Sequence, residues 1–136
     1  MKRRFPMIKN RKVGHIGFGT NDIEATTKWY VEVLGFKVIG EFTSADNEPI
    51  KFLQSGDLVY EIWQPAPGQT VDCPGKIDHM CFESTDIEAD YAFCKAQGYE
   101  FEAEGIQDMP EVWANGVRFF KIMSPSGEPV EFCQIL

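Results

Sequence analysis

The chain has 136 residues, of which 43% are apolar and 13% aromatic, enough for one hydrophobic core. Its formal net charge is −8, and six of the 13 basic residues lie within the first 12 positions. The rest of the chain is therefore strongly acidic, which excludes nucleic acid as an expected partner. No apolar run reaches the roughly 18 residues of a membrane span, and the four cysteines show no C-x-x-C spacing and no secretion signal, which favours reduced thiols and a cytoplasmic location.

The first predicted element is a basic arm at residues 1–12, MKRRFPMIKNRK. No apolar run of signal-peptide length follows it, so we expect a solvated arm rather than a targeting segment. A single domain over residues 13–136 is expected after it.

Two segments have the pattern of capped helices. In TNDIEATTKWYVEVLG, Asn21 is the expected N-cap because Glu24 follows three residues later, and Gly35 is the expected end. TDIEADYAFCKAQG repeats this plan, with Thr85 as the expected N-cap and Gly98 as the end. Each helix begins shortly after a histidine.

The remaining regular segments are predicted to be strands, because they are short, rich in β-branched or aromatic residues and separated by turn signals. One strand around each histidine is joined by six others, at 36–43, 50–56, 58–64, 100–107, 117–124 and 129–136. The proline- and glycine-rich linker 65–76 divides module 1 (13–64) from module 2 (77–136). Neither half can bury a sheet face alone, so the two are expected to share one core.

The two halves also share a sequence repeat. Seven residues of the first half recur 64 positions later, and the only two histidines of the chain, His15 and His79, are one such pair. Each half also ends in a strand with a glutamate inside an apolar run, Glu61 in LVYEIWQ and Glu131 in PVEFCQI. An unpaired buried carboxylate costs several kcal/mol, so a glutamate there faces solvent or meets a positive charge.

The four duplicated residues suggest a metal site. If the first and last strands of each half are close, His15 with Glu61 and His79 with Glu131 converge on one centre. Two imidazoles and two carboxylates suit Zn²⁺, Ni²⁺, Co²⁺, Fe²⁺ or Mn²⁺. Structural histidines and water-facing glutamates are the alternative for any single residue, and the joint placement favours the metal.

These motifs resemble the vicinal oxygen chelate superfamily, which contains glyoxalase I, methylmalonyl-CoA epimerase, extradiol dioxygenases and bleomycin resistance proteins. The resemblance is carried by HIGFGTNDIEATTKWYVEVLGF, DLVYEIWQP, KIDHMCFESTDIE and GVRFFKIMSPSGEPVEFCQIL. It implies an α+β fold in which two tandem βαβββ modules form a curved, mixed eight-stranded sheet around a divalent metal. His15, Glu61, His79 and Glu131 fall on the metal positions of glyoxalase I.

The resemblance also implies a function. A fourth ligand at Glu61 resembles the proton-transfer branch, so the expected activity is that of a lactoylglutathione lyase-like lyase or isomerase acting on a small oxygen-chelating molecule. By resemblance Glu131 is the expected general base and Glu61 its partner. Gly19 and Pro65 stand where glyoxalase I has its glutathione-binding arginine and asparagine, which argues against glutathione as the substrate.

Two other functions stay open at this point, an Fe²⁺ extradiol-type dioxygenase and a non-catalytic binding or resistance protein. Trp63, beside Glu61, and Trp113, in the long loop 105–116, are candidate pocket residues, with core packing and an exposed loop as the respective alternatives. A homodimer is expected from the resemblance alone.

Overall fold

The computed structural model describes residues 11–136, so most of the predicted basic arm lies outside the described residues. The described chain contains two modules of identical element order, β-α-β-β-β. The elements are β1 (Val13–Gly19), α1 (Ile23–Leu34), β2 (Lys37–Thr43), β3 (Pro49–Ser55), β4 (Leu58–Trp63), β5 (Ile77–Glu83), α2 (Ile87–Gln97), β6 (Gln107–Met109), β7 (Val117–Met123) and β8 (Pro129–Ile135). The predicted α+β fold of two βαβββ modules is confirmed.

All eight strands form one curled sheet in the order β2-β3-β4-β1-β5-β8-β7-β6. Within each module the last strand lies parallel to the first, β4 beside β1 and β8 beside β5. The modules meet where β1 pairs antiparallel with β5. The four strands that carry the candidate metal ligands are therefore adjacent at the centre of the sheet.

The helices begin one residue later than the sequence predicted. The N-caps are Asp22 and Asp86, whose carboxylates accept hydrogen bonds from the backbone N–H groups of Ala25 and Ala89. The prediction of Asn21 was wrong because its side chain instead bonds both backbone groups of Val71 and ties the linker to the helix start. The prediction of Thr85 was also wrong, because the carboxylate of the next residue, Asp86, caps the helix. Both predicted ends, at Gly35 and Gly98, are confirmed, since each glycine adopts the left-handed conformation.

The predicted strand 100–107 is also corrected. Only Phe101 makes an isolated bridge, to Ile122, and the paired strand β6 covers Gln107–Met109. Gly105, at φ +84°, turns the chain between these two points. A single continuous strand cannot pass through that conformation.

The helices pack on the convex face of the sheet. Alternate residues of the strands face them and form two aromatic-rich clusters, one per module, around Phe18, Leu53 and Ile62 and around Ile87, Phe120 and Phe132. A third cluster lies apart from the helices and joins the modules, with Ile50 and Phe52 from β3 and Val112 from the loop before β7. The opposite residues of each strand are left to line a concave face.

Arg11 fastens the start of the described chain to module 2. Its guanidinium donates to both oxygens of Asp90 in α2, at 2.5 and 2.7 Å, and to the carbonyl of Glu83. Asp90 also accepts from the hydroxyl of Ser84. Burial acts to raise the pKa of Asp90, but these partners outweigh it and the pKa is lowered. Among residues 11–136, no helix is long and apolar enough to cross a membrane.

Candidate metal centre

The concave face brings the four predicted ligands together within one chain. They lie on four neighbouring strands, Glu61 on β4, His15 on β1, His79 on β5 and Glu131 on β8, so that the glutamates flank the histidines. The Nε2 atoms of His15 and His79 are 3.1 Å apart. Glu131 Oε2 lies 3.1 Å from His15 Nε2 and 3.2 Å from His79 Nε2, and the carboxylate oxygens of Glu61 lie 3.6 Å from the same two nitrogens.

Strand register explains how the four meet. His15 pairs with Cys81, which pairs in turn with Glu131, so that these three form one row across β1, β5 and β8. A second row joins Glu61, Gly17 and His79. Each row combines the histidine of one module with the glutamate of the other, rather than the pairs within a module expected from the sequence, because β1 and β5 run antiparallel.

Gly17 and Cys81, the small central residues of these rows, make room for the imidazoles. A Cβ atom on Gly17 would lie 2.0 Å from Cε1 of His79, so the imidazole occupies the space that a side chain would take. Cys81 is fully buried directly beside His15. The missing side chain at position 17 is therefore a requirement of the site.

The donor set fits a divalent ion. Two ligand atoms that each lie about 2.1 Å from one ion at a right angle are about 3.0 Å apart, and the separations among the two imidazoles and Glu131 are 3.1 to 3.2 Å. Glu131 Oε2 is buried and has no hydrogen-bond partner, despite its two close imidazole neighbours. When both Nε2 atoms are unprotonated, as metal ligation requires, this buried oxygen has no donor, and a cation at this point would satisfy it.

Asp78 supports His79 from the side away from Glu131. One carboxylate oxygen contacts Nδ1 of His79, and the other accepts a 2.8 Å hydrogen bond from Nε1 of Trp63. A proton held on Nδ1 leaves the lone pair of Nε2 directed at the centre. Sequence reasoning missed Asp78, because strand alternation predicts that it faces away from its neighbour His79.

The buried charges shift one another's protonation. Burial opposes a charge on either histidine, but the surrounding carboxylates outweigh it, raising the pKa of His15 and raising that of His79 to about 10. Burial raises the pKa of Glu61, whereas for Glu131 the two imidazoles overcome burial and lower the pKa. The two carboxylates thus have opposite tendencies in the same site.

Two thiols lie next to these ligands. The donor atoms of His15, Cys81 and Cys133 lie within 4.8 Å of one another, as do those of His15, Glu61 and His79. Burial raises the pKa of Cys81, which disfavours the thiolate form that binds metals. The oxygen and nitrogen set is therefore the better coordination site.

A cavity of about 950 Å³ opens above this centre. One wall is apolar and includes Phe52, Val112 and Trp113, whose indole lies 4.6 Å from the ring of Phe52 between ring centres. Trp63 lines the cavity beside Glu61 and also packs against this wall. Both tryptophans predicted for the pocket line the cavity, and Trp113 belongs to module 2 but packs on module 1.

The positions expected to bind glutathione in glyoxalase I are occupied differently here. A Cβ atom on Gly19 would lie 2.8 Å from the indole of Trp63, so this tryptophan covers position 19. Pro65 is buried two residues after the end of β4. Neither position presents a polar group to the cavity.

The sequence of this chain matches a known protein family. The sequence model of the glyoxalase/bleomycin resistance protein/dioxygenase superfamily matches residues 14–120. The chain belongs to this superfamily. The match includes three of the four candidate ligands, His15, Glu61 and His79, and ends before Glu131.

One protein of similar sequence and two solved structures match this chain over most of its length. The uncharacterized protein YwbC of Bacillus subtilis (strain 168) is 31% identical over 127 residues, which cover 91% of this chain and 98% of that protein. The hypothetical protein BH1468 from Bacillus halodurans C-125 has a similar structure, with a TM-score of 0.77 at 23% identity over 93% of this chain and 96% of that one. Methylmalonyl-CoA epimerase from Mycobacterium tuberculosis gives 0.77 at 18% identity over 92% and 88%. At these identities the structural matches show a shared fold.

Proposed function

We propose that the protein is a divalent-metal-dependent isomerase or lyase that moves a proton next to a carbonyl oxygen of a small, oxygen-chelating substrate. One observation carries the proposal. Two glutamates flank two histidines at the floor of a cavity of about 950 Å³, with donor-atom separations of 3.1 to 3.6 Å. Superfamily membership and the shared fold with methylmalonyl-CoA epimerase support it.

His15, Glu61, His79 and Glu131 would hold the ion. When bound, a divalent cation supplies positive charge that stabilises an oxyanion beside the carbon that loses a proton. Asp78 keeps the His79 ring oriented, and Gly17 gives that ring its space. These two residues act through His79 and position it.

The glutamates are the proton carriers in this proposal. Because β4 and β8 lie on opposite sides of the histidine strands, a substrate between them has one carboxylate on each side. Glu131 accepts the proton from carbon, and the electron pair of the broken C–H bond moves onto the adjacent carbonyl oxygen. Glu61, in its protonated form, returns a proton to the neighbouring carbon or to the opposite face of the same carbon. Each glutamate would act while it is detached from the ion, and proton exchange with solvent afterwards deprotonates Glu131 and reprotonates Glu61. The product is a positional isomer or an epimer.

The cavity argues against large anionic substrates. Its lining includes the carboxylates of Glu48, Asp57, Glu83 and Glu102 but, among the described residues, only two lysines and no arginine. A coenzyme A thioester carries several phosphate charges, which such a surface repels. One structure of a methylmalonyl-CoA epimerase contains methylmalonyl-CoA, and we propose that this chain acts on a smaller molecule, without glutathione. The expected homodimer stays a prediction, because one chain already supplies all four donors.

Deuterium exchange tests the proposal without knowledge of the product. The protein loaded with Ni²⁺ or Zn²⁺ is incubated in D₂O with a panel of small 2-oxo and 2-hydroxy carbonyl compounds, and NMR detects deuterium at the carbon next to the carbonyl. We expect exchange with the wild type and none with Glu131→Gln. A Glu131→Gln variant that binds the metal and exchanges at the wild-type rate refutes the base assignment.

Two controls separate the other functions. An extradiol-type dioxygenase would consume oxygen with catechols when loaded with Fe²⁺, and Glu61→Ala would leave that activity intact. A binding or resistance protein would bind its ligand without metal and without exchange. Failure of the purified protein to bind any of the five candidate metals refutes the metal-dependent function.

A further inference from the structure

Lys121 is a cation on the wall of the cavity, next to the candidate metal centre. It lies on β7 directly opposite Glu131 of β8, and its neighbour on the same face, Phe119, also lines the cavity. Arg118 and Phe120, which alternate with these residues, lie on the helix side of the sheet, where Phe120 is buried in the core and Arg118 pairs with Glu88 of α2. Strand alternation thus directs the side chain of Lys121 toward the cavity.

The ammonium group has weak partners in the described structure. Its side chain is 21% exposed, and the nearest carboxylate, Glu102, lies 3.7 Å away, beyond hydrogen-bond distance. The ring of Phe119 lies 5.9 Å from Nζ. An ammonium group has three donors, so this geometry leaves hydrogen-bonding capacity for a group in the cavity.

The other cavity-lining lysine, Lys12, differs in its setting. Its side chain is 78% exposed at the rim, and it lies 3.7 Å from Glu83. Of the two lysines that line the cavity, Lys121 is therefore the more buried. Across the cavity from this polar side stands the wall of Ile50, Phe52, Val112 and Trp113.

We propose that Lys121 binds the carboxylate of a small 2-oxo or 2-hydroxy acid whose apolar, preferably aromatic, substituent packs against Phe52 and Trp113. The inference rests on the proposed function, because the vicinal oxygens of such an acid are its chelating group. It narrows the substrate to a monoanion of limited size. One lysine balances one carboxylate, and the acidic rim disfavours additional negative charge.

Calorimetric titration with two matched probes tests the inference. Phenylpyruvate carries the carboxylate, and its methyl ester keeps the phenyl ring and both vicinal oxygens without the charge. Each is titrated into the full-length protein, with and without Ni²⁺. We expect Lys121→Met to weaken phenylpyruvate binding roughly 10- to 100-fold, the range for a charge-assisted hydrogen bond, with little change for the ester. Lys121→Arg is expected to keep most of the affinity.

Lys28→Met is the matched control, because it removes the same charge from the exposed surface of α1 on the far side of the sheet. It should bind phenylpyruvate as the wild type does. Equal binding by Lys121→Met and the wild type, an equal loss for acid and ester, or no binding of phenylpyruvate by the Ni²⁺-loaded wild type overturns the inference. Each of these results leaves metal binding and proton exchange intact, whereas failure to bind Ni²⁺ overturns the proposed function.

Discussion

Replacing Asp78 with asparagine is predicted to weaken metal binding through the tautomer of His79. Asp78 now offers one oxygen to His79 Nδ1 and the other to Nε1–H of Trp63. Asparagine has only one acceptor oxygen and one amide donor. If the oxygen stays with the indole, the amide faces Nδ1 and favours the tautomer with its proton on Nε2. That tautomer has no lone pair to offer the metal.

The magnitude follows from this loss of orientation. Removing the hydrogen-bond partner of a ligating histidine typically costs 10- to 100-fold in metal affinity, or about 1.4 to 2.8 kcal/mol. We expect the upper half of that range, because the buried His79 side chain has few alternative donors or acceptors and the indole competes for the remaining oxygen. The Asp78→Asn side chain is nearly isosteric, so the fold is expected to be retained.

Isothermal titration with Ni²⁺ at pH 7 measures the effect. The control is Asp57→Asn, which removes one carboxylate from the cavity rim and touches neither histidine. A long-range loss of negative charge affects both variants, whereas the tautomer effect is confined to Asp78→Asn. Equal affinities for the two variants, or an affinity of Asp78→Asn within twofold of the wild type, would refute the reasoning.

Three further predictions concern packing and stability. Gly17→Ala should abolish Ni²⁺ binding in calorimetry while the far-UV circular dichroism spectrum is kept, since the new Cβ would lie 2.0 Å from the His79 ring. Asp90→Asn should lower the melting temperature by roughly 7 °C at pH 7, or about 2 kcal/mol for its half-buried pair with Arg11. Because the folded pKa of Asp90 is lowered, this stabilisation is present above about pH 4 and is lost as the pH falls through the folded value, so the difference in melting temperature between the two proteins should shrink as the pH is lowered below about 4. In urea, the free energy of unfolding of Trp113→Gly should be about 1 kcal/mol higher than that of Trp113→Ala, because residue 113 has φ +62°, a left-handed conformation that glycine adopts with less strain than alanine. Equal free energies of unfolding would contradict this.

The repeat made the architecture predictable and pointed to four residues that the structure brings together, whose role as metal ligands stays a prediction. A histidine in each first strand and a glutamate in each last strand are visible as matched letters, and strand alternation correctly places them on the concave face. The crossed rows, in which His15 aligns with Glu131 and His79 with Glu61, were not predictable. They depend on the register between β1 and β5, which no local pattern specifies.

Local patterns failed where several residues compete for the same role. Asn21 and Asp22 are both good N-caps, and the contact of Asn21 with Val71 of the linker decides between them. Asp78 was missed because strand alternation points its Cβ away from His79, although its carboxylate still reaches Nδ1 of that ring. A signal was available, since an aspartate beside a ligating histidine is a frequent support for it.

Gly17 and His79 are far apart in the sequence but depend on each other, because the imidazole of His79 fills the space that a side chain at position 17 would need. The observed position of the His79 imidazole requires glycine at position 17. A larger residue there would displace the ring from its place beside His15, Glu61 and Glu131. Among homologous sequences, these two positions should therefore change together. If His79 binds a metal as proposed, joint loss of the glycine and the histidine is expected in homologues that do not bind one.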